Sequence, residues 1–195
     1  MTYSSGTSSG ESKIIPVTED EIKRRLLYGS LIIPVMSRFV DGLDAKKGLY
    51  FLFTAAETAT PGGLTATFAM SSYHDTLRSD GRPYDFYTDI TSPPDTVLCT
   101  DPYQSMYSQL LCGLCRNREV IRVGALFVTG VIRAVRFLEK HWSLLCRDIR
   151  NGSLDSAVDC TPVRYAVLRM LKPDPDLADF VEAECRKGSW QGIIK

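Results

Sequence analysis

Ser4, Ser5, Thr7 and Ser8 are four of the six hydroxylated residues that precede Lys13 in the stretch SSGTSSGESK, with Gly6 and Gly10 among them. Hydroxyl groups, backbone N–H groups left accessible by glycine, and one ammonium are the donors that can wrap a chain of phosphates. The same composition also suits a solvated leader or a tag remnant. Spacing does not choose between the two. Gly6 is followed by Gly10 and the lysine comes at position 13, so GxxxxGK[ST] is absent, and so is GxGxxG.

The other reactive residues are scattered. Cys99, Cys112, Cys115, Cys146, Cys160 and Cys185 follow no secretory signal, which favours free thiols over disulfides. Cys112 and Cys115 have CxxC spacing, but a redox dithiol belongs at a helix N-terminus, and this pair closes the apolar run from Met106 to Leu114. Zinc would need two further ligands at matching spacing; His74 and His141 stand alone, so no metal site is expected. The pair reads as buried thiols.

These residues need a scaffold, and 195 residues suffice for one good core or two small ones. The chain is 44% hydrophobic and 24% charged, an ordinary globular composition. With 23 basic and 23 acidic residues, no net field favours nucleic acid or an anionic membrane surface. No apolar run reaches the roughly 20 residues that span a bilayer. The expectation is a soluble, cytoplasmic protein.

Hydrophobic period sets the elements. A helix is expected over about Thr18–Phe39, with Thr18 and Glu21 at capping-box spacing and Pro34 as a kink. LYFLFTA and LTATFAMSSY read as strands on either side of the turn at Pro61-Gly62-Gly63. His74 to Pro94 reads as a long loop, DTVLC as a short strand, and Tyr103–Arg116 as a helix. A strand follows at Val120–Phe127, then helices at Gly130–Asp148, Pro162–Leu171 and Pro175–Lys187. Strands separated by helices imply an α/β sheet with helical cover, without an internal repeat or a clear linker.

The stretches SSGTSSGESKIIP, GLDAKKGLYFLF, TPGGLTATFAMSSY, ITSPPDTVLC, QSMYSQLLCGL, VIRVGALFVTGVIRAVRFLEKHW and LKPDPDLADFVEAEC cover nearly the whole chain. In them the sequence resembles the plant auxin-responsive acyl acid-amido synthetases, the indole-3-acetic acid-amido synthetase family of adenylate-forming enzymes. The resemblance implies a two-step reaction. An acyl acid is joined to AMP with ATP and Mg2+, and an amino acid amine then displaces AMP to give an amide, a contribution to auxin homeostasis. It implies small-molecule partners only, the acid and the amino acid.

By the same resemblance, Ser4, Ser5, Thr7 and Ser8 bind the ATP phosphates, with Lys13 a further counter-charge. Ile32, Met70 and Leu126 match positions that line the acyl-acid pocket. Relatives that favour benzoates carry an arginine where this chain has Ile32, so the resemblance points to indole-3-acetate, with jasmonate as the alternative acid. For each of the three, a plain core role is the competing reading. The family's adenine motif with its magnesium-holding glutamate, its ribose aspartate and its C-terminal lysine are not found in these 195 residues. The expectation is therefore that residues 1–195 form part of the large N-terminal adenylation domain, without the mobile C-terminal domain. A non-catalytic remnant with at most a partner- or nucleotide-binding role is the alternative.

Overall fold

The computed structural model describes residues 2–4, 13–68 and 86–188. The chain divides into two compact units, one of residues 1–44 and 53–86, the other of residues 45–52 and 87–195.

The first unit starts with strands β1 (Thr2–Ser4) and β2 (Lys13–Ile15) and helix α1 (Glu19–Met36). Thr18 caps that helix, its hydroxyl accepting from the Glu21 amide at 3.3 Å, and Glu19, Asp20 and Glu21 lay negative charge against the N-terminal dipole. The capping-box expectation therefore lands at the right residue, and Pro34 lies inside the helix. Strands β4 (Thr58–Ala59) and β5 (Thr65–Phe68) complete a sheet in the order β2-β1-β5-β4. In it β1 runs antiparallel to β2 and parallel to β5, and β4 is antiparallel to β5. The turn between β4 and β5 needs Gly63, whose φ of 78° is open to glycine and strained for other residues. Of the expected strand LTATFAMSSY, residues 65–68 are β5 and residues 69–73 lie outside the described residues.

The second unit is built around β3 (Lys47–Phe51) and β6 (Val120–Ala125), a parallel pair in the register Leu49 opposite Val123. Ile90 adds a parallel bridge at Gly48, on residues expected to be loop. Helix α2 (Pro94–Val97) replaces the strand expected at DTVLC. Two consecutive prolines explain the correction: Pro93 stands at the N-cap and Pro94 opens the helix with a φ already set for it. The three-residue apolar run Val97–Cys99 cannot override that start.

Helix α3 (Pro102–Cys115) is buried continuously from Ser105 to Leu114. It lies close to β3 because Gly113 has no Cβ, which would stand 2.7 Å from the Leu49 side chain. Gln109 continues the sheet in place of a strand. Its amide nitrogen donates to the Leu52 carbonyl at 2.7 Å and its oxygen accepts from the Leu52 N–H at 3.1 Å, satisfying both backbone groups beyond the end of β3. The Ser105 hydroxyl accepts from the Gln109 amide and donates to the Thr96 carbonyl, tying α2 into the same network.

Helices α4 (Val128–Asn151), α5 (Thr161–Leu168) and α6 (Pro175–Arg186) enclose this core. On α4 the buried face runs through Ala134, Leu138, Leu145 and Ile149. Asp148 interrupts it at 1% exposure, its Oδ2 accepting from the Tyr107 hydroxyl at 2.8 Å and the Asp155 amide at 2.7 Å. Arg147 bridges the carboxylates of Asp148 and Asp155. The helix ends at Gly152 with φ 62°, where a Cβ would meet Pro173 at 2.5 Å. Asp174 then donates its N–H to Ile149 and caps α6 through Leu177.

Replacing Asp148 by alanine leaves a buried phenol and a buried amide without their acceptor. Urea unfolding should show a loss of about 3 kcal/mol, whereas Asp179→Ala, at an exposed ion pair, should stay within about 0.5 kcal/mol. A second outcome concerns alkaline pH. Burial, and then the Asp148 charge and hydrogen bond, push the Tyr107 hydroxyl far above its ordinary value. A folded pKa above the unfolded one gives stability that is complete below about pH 10 and declines above it. Tyr107→Phe should flatten that alkaline decline in melts recorded from pH 8 to 11.

Candidate functional site

In the first unit the expected phosphate loop sits between paired strands. Ser4 ends β1 with its backbone opposite Lys13 of β2, so the first and last members of the candidate set are brought together. Ser5, Thr7 and Ser8 lie outside the described residues. The parallel register of Thr2 with Thr67 and Tyr3 with Phe68 brings the carboxyl ends of β1 and β5 to one edge of the sheet. That edge is where α/β folds present ligands, because loops leave it together. The antiparallel β2 was missed at the level of sequence; its signal is the short apolar pair Ile14-Ile15 after Lys13.

Helix α1 of the same unit carries Ile32, which is 42% exposed and stands beside Tyr28, Leu31 and Val35, all more exposed still. Core packing does not occupy this face. Met70, two residues past β5, lies outside the described residues.

In the second unit Leu126 follows β6 directly and is 57% exposed, with Phe127 and Val128 beside it. Ile32 and Leu126 are thus exposed apolar groups on their respective units. A separate cavity of about 640 Å³ in the second unit is lined by Arg116, Arg118, Glu119, Asp174, Asp176 and Phe180, and holds none of the expected site residues.

The CxxC pair closes α3 at its C-terminus, where the dipole opposes a thiolate. Burial pushes the Cys112 thiol far up, with Cys115 nearby adding to it, and pushes Cys115 up to about 12. All six cysteines are among the described residues and are free thiols. Among the described residues no three His, Cys, Asp or Glu side chains are grouped to hold a metal ion, and no helix is long and apolar enough to cross a membrane.

Comparison with known proteins agrees with this layout. The model of the GH3 family N-terminal domain matches residues 1–195. The chain is 60% identical over 191 residues to the indole-3-acetic acid-amido synthetase GH3.6 of Arabidopsis thaliana, covering 98% of this chain and 31% of that protein. It is 51% identical to the indole-3-acetic acid-amido synthetase GH3.8 of Oryza sativa subsp. indica, again over 98% of this chain and 32% of the relative. Among solved structures, the GH3.15 acyl acid amido synthetase superposes with a TM-score of 0.86 at 37% identity, over the whole of this chain and 34% of that one. A second, the same enzyme in complex with 2,4-DB, gives 0.84 at 36% identity over the whole of this chain and 33% of its own. The chain thus spans about a third of the length of the relatives it matches. Its α/β fold is that of the acyl acid amido synthetases over this region, and the chain belongs to the GH3 family, through that family's N-terminal domain.

Proposed function

We propose that the chain supplies the phosphate loop and part of the acyl-acid pocket of an indole-3-acetic acid-amido synthetase, acting in the cytoplasm on auxin and an amino acid. The observation that carries the reading is its 60% identity, across 98% of its length, to a relative of that name. In the proposed reaction a carboxylate oxygen of the acid attacks the α-phosphorus of ATP and pyrophosphate leaves. The amine of the amino acid then attacks the acyl carbon, loses a proton, and AMP departs.

This chain's own contribution begins with Ser4, Ser5, Thr7 and Ser8. Their hydroxyl and backbone N–H groups donate to phosphate oxygens as negative charge moves onto the leaving pyrophosphate, with Lys13 as counter-charge. The pairing of Ser4 with Lys13 at a ligand-presenting sheet edge supports that role. The described residues offer no donor set for Mg2+, and no role for the ion is assigned to them.

On the acid side, Ile32, Met70 and Leu126 would offer apolar surface to the indole ring, at about 25 cal/mol per Å² removed from water. Ile32 cannot pair with a polar ring substituent, and burying one unpaired would cost roughly 1–3 kcal/mol. Indole-3-acetate is therefore preferred over 4-substituted benzoates, with jasmonate second.

Exchanging the matching third of GH3.6 for this chain tests the reading. The chimera should catalyse acid-dependent exchange between pyrophosphate and ATP, with kcat/KM highest for indole-3-acetate. Thr7→Ala should lower exchange by about 10²-fold, the scale of losing one oxyanion donor. Ile32→Arg should move preference toward the benzoate. The 195-residue chain assayed by itself should show no exchange above its Thr7→Ala variant, since one loop cannot position both substrates. A benzoate preference unchanged by Ile32→Arg would exclude the pocket assignment, and exchange indifferent to Thr7→Ala would exclude the loop.

A further inference from the structure

We propose that Cys99 and Cys160 are a thiol pair that oxidises to an intramolecular disulfide, making the N-terminal end of α3 a site of redox modification. Both residues are fastened to one turn of that helix. The Cys99 thiol donates to the Asp101 carbonyl at 3.7 Å, and Asp101 caps α3 by accepting from the Gln104 amide at 2.8 Å. Gln104 then reaches across to the segment before α5. Its Nε2 donates to Asp159 at 2.8 Å, and its Oε1 accepts from the Cys160 N–H at 2.9 Å. Helix α2, just before Cys99, packs on α5, just after Cys160. The two cysteines thus share one turn of α3, and the charge of Cys160 acts on the Cys99 thiol.

Exposure sets the order of events. Cys160 is half-buried, whereas Cys99 is 8% exposed. Among the other pairs, Cys115 is half-buried like Cys160 but its partner Cys112 is only 1% exposed, and Cys146 and Cys185 are both buried. Hydrogen peroxide, the oxidant meant here, would reach Cys160 first. The Cys160 thiolate attacks one peroxide oxygen, the O–O bond breaks, and a sulfenic acid and hydroxide form. The Cys99 sulfur then attacks the sulfenic sulfur, the S–O bond breaks, and the hydroxyl leaves as water with the Cys99 proton. In sum, two thiols lose two electrons and two protons, and peroxide becomes two waters. Burial raises the Cys99 thiol above its ordinary value.

The test treats the whole chain with peroxide, then unfolds it and counts thiols. The expected count falls from six to four. Cleavage before aspartates should release peptide 95–100 joined to peptide 159–173, about 2 Da lighter than the sum of the two. The oxidised chain should melt higher by roughly 5 °C, since the bond closes a long loop in the unfolded state. Cys99→Ser should abolish the link and leave sulfenic or sulfinic acid on Cys160, while Cys112→Ser should leave the link intact. An unchanged count of six, a bond between Cys112 and Cys115 or between Cys146 and Cys185, a chain-to-chain bond, or a loss of two thiols that persists in both Cys99→Ser and Cys160→Ala overturns the proposal.

Discussion

The carboxylate of Asp148 holds the helical part of the second unit in register. A carboxylate taken out of water is tolerated only when charge and hydrogen bonds replace the lost solvent. Here Tyr107 of α3, the Asp155 amide of the segment after α4, and Arg147 of α4 itself do so. Each partner comes from a different stretch, so the requirement of one side chain fixes three. Asp155 passes the constraint on: its carbonyl, with that of Val158, accepts from Arg164 of α5. An apolar residue in place of Asp148 would fill the volume yet hold none of these groups. Burial against Leu145 and Ile149 supplies affinity between helices, while the carboxylate supplies their alignment.

Much of the architecture was legible because it rests on local rules. Thr18 with Glu21, and Pro175 at a first turn, announce helix starts through local chemistry alone. The long apolar faces of α3 and α4 gave those helices by period. What failed was short. DTVLC has strand composition but a helix start imposed by Pro93-Pro94, and the three-residue β1 and β2 are too brief to carry a period. Asp148 and Gln109 read as surface residues by their polar type, and only their partners, far off in sequence, explain their burial.

For the site, the sequence named residue types and the structure assigns them to different supports. Ser4 and Lys13 face each other in a strand pairing, and Ile32 and Leu126 lie on a helix and at a strand's end in different units. Periodicity could not have separated these exposed side chains from core residues, because exposure is a property of neighbours rather than of spacing.

The interrupted membership of the units has a consequence for how the chain can be assembled or exchanged. Residues 45–52, which include β3, belong to the second unit although the first unit resumes at residue 53. A ribosome therefore delivers the inner strand of the second unit some seventy residues before β6, its parallel partner, and the strand must wait while the rest of the first unit is made. For the same reason no single cut frees either unit whole. A recombination point between residues 53 and 86 would leave the later half without β3 and Leu52, and with them the ladder that Gln109 completes. A crossover before residue 45 would likewise part β1 from β5, so an exchange that keeps every pairing carries the span from β1 to α6 as one block.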